Sequence, residues 1–352
     1  MLETVPGVPF RVRIASRERP LSVRGGELPT AELEVHAWGR PNADRSNAIL
    51  LCHSFSADAF AAGEDATATE FHRPWRMGNR GWWDDLVGPG KPVDTDKYWI
   101  VCSNVIGGSA GSTGPSTVAD DGEPWGTRFP FLSIADLVEA QVRLADLLGV
   151  GRWRLVAGGS LGGLQTLTWA VAHPDRVAHA VPVAVAARPS LSGIGHFAAG
   201  CAYIRRELES GGTGYEGLLA SFGTGRRYSG PDADPRRDLD WRNTWPPERY
   251  HPWTYVRLAE ALITYDLAQD VGGGDLRVAA AAIRCPLDLV SFGGDTLFPP
   301  HEIDILADAV RRAGGVARHH ALAGNSGHDT FLEEPEVLSD LFRRILADEC
   351  GV

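Results

Sequence analysis

Residues 155–164, Leu-Val-Ala-Gly-Gly-Ser-Leu-Gly-Gly-Leu, constrain the fold of this chain more than any other stretch. Leu155 to Ala157 are apolar in the manner of a short buried strand, and residues 164–171 continue at helical spacing, so the chain must turn sharply between them. Gly158-Gly159-Ser160-Leu161-Gly162 fills that turn and matches G-x-S-x-G, in which small residues crowd around a serine at the start of a helix. Close backbone approach excludes side chains beside that serine, and the helix N-terminus sets free N–H groups and partial positive charge next to its hydroxyl. Such a turn presents a nucleophile. A plain flexible glycine turn can carry the same letters, so the partners of Ser160 decide between the two.

Two partners lie downstream in a telling order. Residues 286–292 form an apolar strand that ends in Gly293-Gly294-Asp295, and an Asp at the tip of a late strand can hold a histidine in one tautomer and stabilise its imidazolium form. Asp295 could instead cap the helix expected over 301–313, although residues 296–300 intervene. His328 follows on the loop Asn325-Ser326-Gly327-His328-Asp329, ahead of a last helix over 335–347. The order Ser160, Asp295, His328 is the order of triads built on this kind of turn. Upstream, the apolar run 47–52 opens into His53-Ser54-Phe55-Ser56, where the second oxyanion donor of such enzymes lies; the Phe55 N–H is expected to pair with that of Leu161. His53 precedes the serine and reads as structural.

Between these landmarks, strand and helix signals alternate, which predicts an α/β architecture with a parallel sheet. Residues 31–38 alternate as a half-exposed strand, 98–105 form another strand, and 133–149 read as a helix capped by Ser133 and stopped by Gly149. The long segment 59–97 carries Trp82-Trp83, which favours packing, and the Gly/Ser loop 107–116 lacks the Lys of a phosphate-binding loop. From 188 to 276 the alternation stops, and helical patterning at 198–209 and 256–268 brackets a basic stretch and an aromatic run with Trp241, Trp245, Tyr250, Trp253 and Tyr255. We read 1–187 and 277–352 as the core and 188–276 as a helical lid over the serine; a surface insertion at the side of the core is the alternative.

Composition excludes several classes. A net charge of -11 opposes a nucleic-acid surface, and no apolar run is long enough to span a membrane. The N-terminus shows no basic segment followed by an apolar one, so a cytoplasmic location is expected. The five cysteines, Cys52, Cys102, Cys201, Cys285 and Cys350, form no C-x-x-C pair and read as buried thiols, and the eleven histidines show no metal-ligand spacing, so no metal is expected.

The same residues resemble the homoserine O-acetyltransferase family. Gly81-Trp82-Trp83-Asp84 with Val87-Gly88-Pro89-Gly90-Lys91-Pro92 and Asp94-Thr95-Asp96-Lys97-Tyr98 is similar to its segment before the fourth strand. Ser103-Asn104-Val105-Ile106-Gly107-Gly108 with Gly111-Ser112-Thr113-Gly114-Pro115-Ser116 is similar to its hallmark loop, and residues 158–163, Gln165, Trp169-Ala170 and Pro174-Asp175-Arg176 to its elbow. The match extends to Asp295-x-Leu297-Phe298-Pro299-Pro300 and Gly327-His328-Asp329. The resemblance implies an α/β-hydrolase fold with a mostly parallel eight-stranded sheet and an inserted helical lid. It also implies ping-pong acyl transfer through acyl-Ser160, from acyl-CoA as co-substrate with no permanently bound cofactor, to the hydroxyl of an amino acid or similar small molecule. Asp329 would contact the acceptor's amine, and the family is often a homodimer.

The lid departs from the pattern. Thr264-Tyr265 is present, but the position of the family's carboxylate-binding Arg holds Leu258, with Arg257 one step before it, a rotation of about 100° on a helix. Arg257 and Tyr265 are nevertheless the acceptor contacts this resemblance suggests. The oxyanion loop reads Ser54-Phe55-Ser56-Ala57 where the family usually has Ala-Leu-Thr-Gly. An esterase or thioesterase using the same triad is the alternative function, and a silent binding protein on this fold is a third.

Overall fold

The structure, a computed structural model, describes residues 8–68, 73, 79–226 and 249–347. Eight strands form one sheet: β1 (Phe10–Ala15), β2 (Ala31–Trp38), β3 (Ala48–Cys52), β4 (Trp99–Ser103), β5 (Leu155–Gly159), β6 (Ala180–Val183), β7 (Leu287–Phe292) and β8 (Ala317–Leu322). Their spatial order is β1-β2-β4-β3-β5-β6-β7-β8. β2 runs antiparallel to both β1 and β4, and every pair from β4 onward is parallel. β3 to β7 are buried at every residue, as expected of parallel strands covered on both faces. Along β3 the side chains alternate between two cores: Leu50 packs with α1 (Ile134–Leu148) and α2 (Leu161–Ala172), Ile49 and Leu51 with Trp83 and α7 (Ser339–Ala347).

Local chemistry sets the helix ends. Ser133 and Asp136 form a reciprocal capping box at α1, and Gly149, at φ 72°, stops it in the left-handed conformation. Two helices of the segment after β6 begin earlier than their periodicity suggests. Ser190 caps α3 (Leu191–Glu209), and Pro252 opens α5 (Pro252–Ile263) with a His251 ring nitrogen accepting from the Trp253 N–H. Between them lies α4 (Tyr215–Arg226). Trp241, Trp245 and most of the basic stretch up to Asp238 lie outside the described residues.

β2 corrects one expectation. It is buried at all positions but Glu32, because the segment after β3 folds over its polar face. The Glu34 carboxylate accepts two bonds from the Arg73 guanidinium, one at 2.8 Å, and the His36 ring lies stacked on Trp38 and edge-on to Phe60. Cys52, Cys102, Cys201 and Cys285 are buried free thiols, while Cys350 lies outside the described residues. No helix among the described residues is long and apolar enough to cross a membrane, and none of their His, Cys, Asp and Glu groups is arranged to hold a metal.

Candidate active site

The turn after β5 is as tight as its glycines require. Ser160 takes φ 55° and ψ -121°, a conformation costly for any residue with a side chain, and its backbone N–H donates to the Val183 carbonyl of the neighbouring strand at 3.0 Å. A Cβ at Gly162 would stand 2.0 Å from the Cys52 carbonyl oxygen, and one at Gly159 2.4 Å from the Phe331 ring. The first contact reflects register: β3 and β5 are parallel neighbours with Cys52 opposite Gly158, so the loop after β3 leaves the sheet directly beside the serine. Phe55 and Leu161 therefore flank Ser160 from adjacent strands. The Leu161 N–H opens α2, where a helix leaves its first N–H groups without internal partners.

Topology brings in the other two groups. β7 and β8 are parallel neighbours with Phe292 opposite Leu322, so the loops bearing Asp295 and His328 leave the same end of the sheet. His328 Nε2 lies 2.8 Å from Ser160 Oγ, and its Nδ1 lies 2.8 Å from Asp295 Oδ2. Asp295 uses its other oxygen to accept the Leu297 and Phe298 N–H groups, each at 2.9 Å, which fixes the carboxylate in place. This also resolves the capping alternative, since α6 (Pro300–Arg312) has no side-chain cap. The imidazole is held between the Phe298 ring, stacked at 5.8 Å, and the Phe331 ring, edge-on at 5.8 Å. Burial disfavours its charged form, but the charge and hydrogen bond of Asp295, with Asp329 beyond, outweigh burial and raise the His328 pKa.

Further groups hold the loops. His53 accepts from the Val105 N–H at 3.0 Å and its Nδ1 lies 2.8 Å from the Ser54 carbonyl, which makes it the structural residue its position suggests. Behind the elbow, buried amides connect α1 and α2: Gln141 on α1 donates to Gln165 on α2 at 2.8 Å and accepts from Trp169 at 2.8 Å, and Gln165 donates to the Leu161 carbonyl at 3.1 Å. Trp83 donates from its indole to the Phe331 carbonyl at 2.8 Å, supporting the His328 loop from below. Sequence reasoning treated Trp83 only as packing. The Gly/Ser loop 107–116 is built into the fold: Ser109 Oγ donates to Thr254 at 2.9 Å and accepts the His251 N–H at 2.9 Å.

Ser160 and His328 open into a cavity of about 270 Å³, also lined by Phe55, Asp329 and Glu333 of the core and by His196, Phe197, Phe222, Arg249 and Tyr255 of the segment after β6. Burial and the charge of His328 lower the pKa of His196. The two acceptor contacts suggested in the lid are elsewhere. Arg257 donates to the Phe129 carbonyl at 2.7 Å and the Thr127 carbonyl at 3.0 Å and pairs with Glu260 at 2.8 Å, so its guanidinium is turned to the 126–129 loop. Tyr265 is buried and absent from the cavity lining. Asp329 does line the cavity.

A second Ser, His, Asp chain exists on the far strands. His319 lies 2.7 Å from Ser291 Oγ and 2.6 Å from Asp304. Ser291, however, is fully buried within β7, one residue before its end, and Asp304 is exposed, so a triad-like contact set by itself does not make a site.

Comparison with known proteins agrees with this architecture. Residues 47–193 match the family model described as alpha/beta hydrolase fold. Over 353 residues the chain is 35% identical to a homoserine O-succinyltransferase of Alkalilimnicola ehrlichii, covering 91% of this chain and 90% of that protein. It is also 35% identical to a homoserine O-acetyltransferase of Geobacter sulfurreducens, covering 94% and 95%. Among solved structures, homoserine O-acetyltransferase from Bacillus anthracis superposes with a TM-score of 0.82 at 20% identity, covering 96% of this chain and 98% of that one. Esterase E22 reaches 0.81 at 21% identity, covering 96% and 100%. At these identities the two superpositions speak for the fold alone.

Proposed function

The chain belongs to the homoserine O-acyltransferase family of the α/β-hydrolase fold, and from that membership we propose that it moves an acetyl, succinyl or similar short acyl group from acyl-CoA to the hydroxyl of an amino acid such as homoserine, through acyl-Ser160. The observation that carries this reading is the pair of 2.8 Å contacts from Asp295 through His328 to a serine at a helix N-terminus.

A serine hydroxyl is a weak nucleophile at neutral pH. His328 takes its proton as Ser160 Oγ attacks the thioester carbonyl, and Asp295 keeps the imidazole in the tautomer that accepts at Nε2. The Phe55 and Leu161 N–H groups receive the negative charge on the carbonyl oxygen; one such donor is worth about 10²–10³ in turnover. When the tetrahedral intermediate collapses, the C–S bond breaks and His328 returns the proton to the CoA sulfur. The acceptor hydroxyl then gives its proton to His328 and attacks acyl-Ser160, which regenerates the free serine. The described residues of the 188–276 segment, acting as a lid, supply one wall of this cavity and shield acyl-Ser160 from water. Asp329 meets the acceptor's amine.

Mass analysis of products after incubation with acetyl-CoA or succinyl-CoA and L-homoserine tests the reading. O-acyl-homoserine is the product expected. Free acid formed at the same rate with or without the amino acid would instead identify an esterase or thioesterase.

A further inference from the structure

The two N–H groups proposed to receive the oxyanion charge are secured differently. That of Leu161 opens α2 and is fixed by the helix, whereas that of Phe55 sits on a loop. Neither has a hydrogen-bond acceptor among the described residues, which leaves both for a substrate oxygen. The direction of the Phe55 N–H depends on the peptides on either side of it. On one side the Ser54 carbonyl lies 2.8 Å from His53 Nδ1 and accepts the Ala57 N–H at 3.2 Å, and in a planar trans peptide the following N–H points the opposite way. On the other side the Phe55 carbonyl accepts the Tyr250 hydroxyl at 2.9 Å.

Tyr250 belongs to the segment after β6, 195 residues along the chain from Phe55. It is buried and absent from the cavity lining, so its hydroxyl acts on the loop and not on a substrate. Its own place is fixed: the next residue, His251, donates its N–H to Ser109 Oγ at 2.9 Å, and the Tyr250 ring stacks on Phe55 at 6.1 Å and meets Phe222 edge-on at 5.3 Å. Phe197 at 5.0 Å and Tyr255 at 5.1 Å pack against the Phe55 ring as well. The same segment therefore holds this residue by its side chain and by its carbonyl. We propose that Tyr250 is a positioning residue of the reaction: its hydroxyl fixes the Phe55 carbonyl so that the Phe55 N–H meets the oxyanion, and the oxyanion site is complete only with this segment in place. The inference rests on the reading of Ser160 as nucleophile with Phe55 and Leu161 as oxyanion donors.

Tyr250→Phe removes the hydroxyl and keeps the ring with its contacts. Single-turnover rates of Ser160 acetylation by acetyl-CoA and of its discharge by L-homoserine are measured in wild type and variant, each per Ser160 titrated with a fluorophosphonate, so that misfolded molecules do not count. Both steps build an oxyanion on the same two donors. The limiting rates of the two steps should therefore fall together, about tenfold each, short of the 10²–10³ that losing a donor costs. The half-saturating concentrations of acetyl-CoA and homoserine should stay within about twofold, since an interaction made only in the transition state does not alter binding. Unchanged limiting rates, a fall confined to one step, or a change in half-saturation alone would overturn the proposal while the transferase reading stands. If p-nitrophenyl acetate acylates wild type but acyl-CoA does not, the transferase reading fails, and the same comparison with the ester and water decides the proposal. Wild-type protein that neither donor acylates would overturn both.

Discussion

In the proposed mechanism His328 carries the chemistry through its protonation state. The imidazole must be neutral to take the proton of Ser160, and its pKa is raised because the charge and hydrogen bond of Asp295 outweigh burial. Acylation should therefore fall as pH drops through that raised value, with the acidic limb of kcat/KM above about 6.5, the ordinary value for histidine. Asp295→Asn removes the largest factor raising the pKa. The limb should move to lower pH and the rate should drop by about 10³–10⁴, since the amide also fails to hold the required tautomer. A pH profile of acylation in both proteins checks this; an acidic limb that stays in place in Asp295→Asn would mean that another group titrates there.

At the level of elements, the turn from β5 to α2 depends on what cannot fit. Gly162→Ala puts a Cβ 2.0 Å from the Cys52 carbonyl, so either the elbow or the loop carrying Phe55 must shift. We expect this variant to lose about 2 kcal/mol of stability and at least tenfold in acylation, read by thermal unfolding and by stopped-flow. Unchanged acylation would show that the oxyanion loop does not need that register. The same elements show what was legible in sequence. The elbow and the Ser133 cap were readable because each is a local pattern of small or capping residues, and the Ser160, Asp295, His328 order because each of the three sits just beyond a readable strand. The covering of β2 by Arg73, the support of Phe331 by Trp83 and the orientation of Arg257 were not, because each depends on a partner far along the chain. Glu34 and His36 read as polar alternation whether their partner is water or protein. Arg257 could be placed on a helix face only to within about 100° without knowing which loop that face meets.

Over the whole molecule, the sheet order places the loops after β3, β5, β7 and β8 at one end, and the segment between β6 and β7 supplies the remaining wall with His196, Phe222, Arg249 and Tyr255. The Tyr250 hydroxyl donates to the Phe55 carbonyl, which ties the loop proposed to hold the oxyanion to the segment where this chain departs from its family pattern. In the proposed mechanism this division lets one triad serve related transfers, with the acyl group carried on the core and its substrates met by the inserted helices. The central claim is that Ser160 carries the acyl group. Intact-protein mass measured after brief mixing with acetyl-CoA or succinyl-CoA tests it most directly, with Ser160→Ala and Ser291→Ala as controls. An acyl adduct on wild type and Ser291→Ala, absent from Ser160→Ala and discharged by an amino-acid acceptor, is the result this account predicts; an adduct that persists in Ser160→Ala, or none on wild type with either donor, would contradict it.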